Sequence, residues 1–195
     1  HHRSSAASDV YKRQVEQHGA HLPVLTDTLI ASNTLDATLA ALPEQVKAWA
    51  LPPMNYGKSN EHINFPGTIT LSAETLIAVL HDIGASVARS GFRRLAFLNG
   101  HGGNMPLLNM VARDIRVATG LMCFNIHGFQ YDELPFEMSE KELRYGIHGG
   151  ERETSLILAV VLLAFMRPRG KRTEFKLTRK EVDELLTDWA PEPLV

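Results

Sequence analysis

The chain has 195 residues, with twenty Lys and Arg against twenty-two Asp and Glu, a formal net charge of −2 and 44% hydrophobic residues. That balance belongs to an ordinary globular domain and excludes disordered and fibrous classes. Without a basic run it also leaves no electrostatic footprint for nucleic acid or an acidic membrane, so a small-molecule or peptide-like substrate is expected. One α/β domain with a sizeable core fits the length. The one cysteine, Cys123, rules out an internal disulfide and points to a reducing, cytoplasmic setting. The longest apolar run, 156–166, falls short of the roughly 20 residues a bilayer span needs.

In chain order, residues 1–14 show no apolar periodicity and read as a non-native leader, so that a domain over 15–195 would start inside a loop, its upstream strand missing. Leu29, Ile30, Leu35, Leu39 and Leu42 mark one face of a helix over 28–42, which Pro43 stops. The Pro- and Gly-rich stretch 51–71 is too long for a plain connector and reads as a functional surface loop. Ser72 is an N-cap candidate for a helix over 72–90. A strand over 94–98, a helix over 106–119 closed by Gly120, and a strand over 121–126 follow. A polar excursion leads to an apolar helix starting near Glu151, and 179–186 is a weak last helix. Alternating helices and strands predict a largely parallel sheet covered on both faces, with ligands at the carboxyl ends of its strands.

Three segments carry candidate chemistry. In VEQHGAHLPVLTD, Glu16 and His18 project to one side of an extended segment, and carboxylate plus imidazole suits zinc, manganese or iron. Asp27, beyond a turn set by Gly19 and Pro23, is either a further ligand or the cap of the next helix. In NGHGGN, glycines beside His101 let backbone approach a ligand; phosphate is set aside, since neither a P-loop lysine nor G-x-G-x-x-G spacing is present. In HGGERETS, a helix already under way would put His148 and Glu151 on one face, three residues apart, with Glu153 turned roughly the other way as a helix-dipole glutamate.

Together the segments resemble the creatininase (creatinine amidohydrolase) family, with its Glu-x-His-Gly loop and following Thr-Asp, its Asn-Gly-His turn and its His-(Ala/Gly)-Gly-x-x-Glu-Thr-Ser helix start; the FPGTITL stretch also matches. The resemblance runs from Val15 to about Phe165. It implies a three-layer α/β/α fold, a homo-oligomer (commonly a hexamer), and one or two divalent metals serving C–N bond hydrolysis of a cyclic amide, linear amide or formamide by activated water. On that basis Glu16 and His101 hold one metal, His18 the other, and Asp27 bridges. Creatininase carries a glutamate where Gly103 stands, so the fifth ligand is assigned to Glu151, three residues past His148, and His148 matches the general acid or base. Arg144 stands where creatininase has a pocket-closing tryptophan. Creatinine is therefore not the expected substrate; Arg144 either pairs with an anionic substrate group or faces solvent. Two rival classes are another metal-dependent reaction, such as a lyase or isomerase, and an inactive fragment that only binds metal or a partner.

Overall fold

A computed structural model describes residues 7–12, 14–127 and 137–166. The elements are β1 (Ala7–Lys12), α1 (Thr26–Ala41), β2 (Ala48–Ala50), α2 (Ala73–Arg89), β3 (Arg94–Asn99), α3 (Met105–Thr119), β4 (Met122–His127), α4 (Glu140–Tyr145) and α5 (Glu151–Met166). Single 3-10 turns stand at Asn60–His62 and Gly102–Asn104. Among the described residues four strands form one sheet in the order β2-β1-β3-β4, and every pairing in it is parallel.

Period-two alternation along β3 explains the layers. Leu95 and Phe97 enter a core with Leu76, Leu80 and Val87 of α2 and Leu108, Val111 and Ile115 of α3. Leu98 packs instead with Leu35 and Leu39 of α1 and with Ile126. Successive side chains of a strand point to opposite faces, so helices cover both sides of the sheet. Nearly all of β3 is buried, as a parallel strand between two layers must be. α5 joins the α1 side through Ile157, which meets Leu22 and Ile30.

Local signals set the helix ends. The Ser72 hydroxyl accepts the Thr75 N–H at 3.2 Å, capping α2, and Gly120 at φ +74° closes α3 with its N–H on the Arg116 carbonyl. α1 starts at Thr26, two residues before the sequence places it. α4 lies inside the polar excursion, which hides it from apolar periodicity. The weak helix at 179–186 falls outside the described residues. No described helix is long and apolar enough to cross a membrane.

One expectation is corrected. The sheet does have a strand leading into the Glu16 loop: Ala7–Lys12, within the segment read as a leader, pairs with β3 over its whole length and with β2 at Ala7, Ser8 and Asp9. A central strand needs extended backbone more than a repeating apolar pattern, and its N–H and C=O groups are satisfied from both sides. The site lies at the carboxyl ends of β1 and β3.

Candidate metal centre

Beyond β1 the chain stays extended. Val15 pairs with Ile69, and the Glu16 N–H donates to the Val24 carbonyl at 2.9 Å. This geometry sends Glu16 and His18 to one side, 0% and 1% exposed. Gly19, at φ +74°, turns the chain, and Thr26 N–H and hydroxyl both donate to the Pro23 carbonyl as α1 begins. Asp27 is thus the second residue of α1 and not its cap; Leu25 holds that position. Its buried carboxylate turns toward His18. After β3, the buried Asn99 side chain brackets the His101 backbone, donating to its carbonyl at 2.8 Å and accepting its N–H at 3.3 Å.

Four of the five expected ligands therefore converge. His18 Nε2 lies 3.1 Å from Asp27 Oδ1, and His101 Nδ1 lies 3.1 Å from Glu16 Oε2 and 3.6 Å from Asp27 Oδ2. Ligand atoms of Glu16, Asp27 and His101 lie within 4.8 Å of one another, and so do those of His18, Asp27 and Glu153. The two triads share Asp27.

Glu151 lies elsewhere. Its exposed carboxylate accepts from the Ser139 N–H at 2.9 Å and hydroxyl at 2.5 Å, which hold its pKa below the usual range. The expected i, i+3 pairing with His148 fails because α5 begins only at Glu151; Gly149, at φ +64°, belongs to the loop before it. Glu153 points inward, Oε1 3.8 Å from His18 Nε2. His148 does reach the centre: Nε2 lies 3.2 Å from Glu16 Oε1, and its ring stands 4.1 Å from that of His18. Arg144 is exposed, its guanidinium 5.4 Å from the Tyr145 ring centre, and it does not line the cavity over the site.

The long loop supplies three residues that the sequence reading did not single out. Ser59 donates to Glu16 Oε2 at 2.6 Å, Glu61 Oε1 lies 2.9 Å from His101 Nε2, and His62 Nε2 lies 3.2 Å from Glu16 Oε1. A 3-10 turn has no apolar period; only the run of Ser, Glu and His in a loop already suspected of function could have signalled them. A Cβ built on Gly103 would overlap the Glu61 carboxylate.

Whether the site fits a cation can be judged from its own strain. Burial, reinforced by the Asp27 charge and opposed by the Ser59 hydrogen bond, pushes Glu16 up to about 8. For His18, burial disfavours the charged ring, but the hydrogen bond and charge of Asp27 prevail and push it up to about 9. Two buried groups thus retain protons where positive charge is wanted. Glu16 Oε1 and Asp27 Oδ2 are buried without a hydrogen-bond partner, although His62 and His148 stand near the former. Mixed oxygen and nitrogen donors with orphaned carboxylate oxygens fit a divalent cation.

The creatinine amidohydrolase (creatininase) family pattern matches residues 14–171. A mycofactocin precursor peptide peptidase of Mycobacterium tuberculosis is 46% identical over 99 residues, 48% of this chain and 39% of that protein. A creatinine amidohydrolase of Pseudomonas putida is 32% identical over 163 residues, 75% of this chain and 61% of its own length. The chain spans about half the length of the curated relatives it matches. A solved crystal structure of a creatinine amidohydrolase (creatininase) superposes with a TM-score of 0.61 at 28% identity, covering 80% of this chain and 64% of that one. With the matched region, the parallel three-layer fold and the convergent Glu, His and Asp residues in agreement, the chain belongs to the creatininase family.

Proposed function

We propose that the chain is a metal-dependent hydrolase of C–N bonds acting on a peptide-like or other linear amide. The observation that carries this reading is the pair of ligand triads sharing Asp27, buried but for the partly buried Glu153. Glu16, Asp27 and His101 would hold one divalent cation, and His18, Asp27 and Glu153 a second, with zinc the first choice and manganese or iron the alternatives. Cations there would polarise the amide carbonyl and acidify a water. Asp27 offers one oxygen to each triad, and Glu16 is oriented by Ser59.

His148 is the proposed proton donor to the leaving nitrogen. It lines the cavity, its ring between those of His18 and His62, the latter stacked at 4.3 Å. Such a transfer is worth about 10²- to 10⁴-fold. The cavity, about 550 Å³, also takes in Asp27, Glu61, His101 and Glu153. That volume lies within the ordinary range of ligand pockets, about 300 to 1,000 Å³. The name of the Mycobacterium tuberculosis relative, a peptidase of a precursor peptide, supports the choice of a peptide-like amide. Arg152 lines the cavity and Arg144 does not, so Arg152 is the better candidate to meet an anionic substrate group.

Purified chain should carry one to two equivalents of zinc, manganese or iron, lose amidase activity on chelation and recover it on adding metal back, with poor turnover of creatinine. Less than about a tenth of an equivalent after growth in metal-replete medium would overturn the reading, given the affinity of such sites. His148→Ala should keep the metal and slow turnover about 100-fold or more. Metal lost together with activity would make His148 a ligand instead, as its place near Glu16 and His18 allows.

A further inference from the structure

The Asn60–His62 turn is tied to the centre on two sides. Ser59, at its entrance, donates its hydroxyl to Glu16 and its N–H to the Thr70 hydroxyl at 2.8 Å, while the Lys58 N–H donates to Asn104 Oδ1 at 3.0 Å. Glu61 is thereby carried to the far edge of His101. The imidazole faces a carboxylate at each nitrogen, Glu16 at Nδ1 and Glu61 at Nε2. A neutral imidazole that gives one lone pair to a cation carries its proton on the other nitrogen, and that N–H needs an acceptor.

We propose that Glu61 is a positioning residue of this centre: it accepts the His101 Nε2–H and so leaves Nδ1 bare toward the Glu16–Asp27 pair, with Gly103 the position that admits it. The proposal rests on the reading of Glu16, Asp27 and His101 as a cation site. Two observations favour positioning over direct ligation. Glu61 belongs to none of the candidate ligand groups, and it is 40% exposed where the carboxylates of Glu16 and Asp27, the pair beside His101, are buried. Gly103 matters for a steric reason: a Cβ there would overlap the Glu61 carboxylate and lie 2.5 Å from His101 Nε2. Any larger residue would push the acceptor off the ring.

The test uses the whole chain as wild type, Glu61→Gln and Glu61→Ala. Zinc affinity is read by competition with a chromophoric chelator, zinc stoichiometry by elemental analysis, and melting temperature on the metal-free protein. Glu61→Ala should weaken one zinc equivalent about 10- to 100-fold, the usual range for losing the partner of a ligating histidine. Glu61→Gln should recover most of that loss, because its side-chain carbonyl still accepts the Nε2–H. Metal-free melting temperatures should match wild type, Glu61 being partly solvated. Unchanged zinc affinity in Glu61→Ala overturns the proposal, as does a weakened affinity that tracks a lowered metal-free melting temperature, which would mark a merely structural role. Loss of a full equivalent in both variants overturns it in favour of direct ligation. Wild type that binds no zinc brings down the two-cation reading and this proposal with it, an outcome distinct from the other three.

Discussion

Glu151 and Glu153 share the first turn of α5 and differ in everything they touch. Ser139 holds the first at the surface, whereas the second faces His18 and accepts the Gly149 N–H. Glu153→Gln should therefore weaken zinc binding at least about tenfold, and Glu151→Gln should leave it unchanged, since both changes alter the helix dipole alike. Equal retention in the two, measured by chelator competition, would remove Glu153 from the ligand set. The placement differs from the one expected from the sequence, and the cause is specific. Counting three residues from His148 presumes a helix already running there, while the Gly149 loop delays it. Matching the Glu-Thr-Ser end of the motif lands on Glu153. Asp27 shows the opposite case: an aspartate near a helix start looks like a cap until the helix is seen to begin one residue earlier.

Among the elements, those with strong end signals were legible. Ser72 and Gly120 delimit α2 and α3, and the apolar β3 declares itself by burial. β2, three residues long with Trp49 half exposed, has too little pattern to detect. α4 could have been found, because Ser139 and Glu142 stand at capping-box spacing and the Ser139 hydroxyl accepts the Glu142 N–H. α2 and α3 meet closely at Gly84, where a Cβ would lie 2.7 Å from Ile115 Cγ2 and 2.9 Å from its Cδ1. Overpacking a buried isoleucine costs about 1–3 kcal/mol, against a helix-propensity gain of about 1 kcal/mol for replacing Gly. Gly84→Ala should lower stability by up to about 2 kcal/mol in denaturant titration while metal content stays constant. A stabilised variant would show that the pair can part freely.

At the scale of the molecule, the charge trapped in the site couples folding to pH. Glu16 moves from an ordinary 4.5 to about 8, and His18 from 6.5 to about 9. Both bind their proton more tightly folded than unfolded. The Glu16 contribution is complete below about 4.5 and lost as pH rises through 8, and that of His18 is complete below about 6.5 and lost through 9. Between pH 6.5 and 8 the two windows overlap and act in one direction, so the metal-free melting temperature should fall most steeply there, with His18 alone extending the fall to about 9. Zinc, which displaces those protons, should stabilise more as pH rises; a metal-free melting temperature that climbs instead would contradict the site's charge balance. The shared aspartate has one more consequence. Asp27 turns Oδ1 to His18 and Oδ2 to His101 from a single rigid carboxyl plane. On the two-cation reading proposed above, an ion that fixed this plane on one side would either present or withdraw the oxygen on the other, so the two occupancies would be thermodynamically linked, each ion altering the affinity for its neighbour by the same factor.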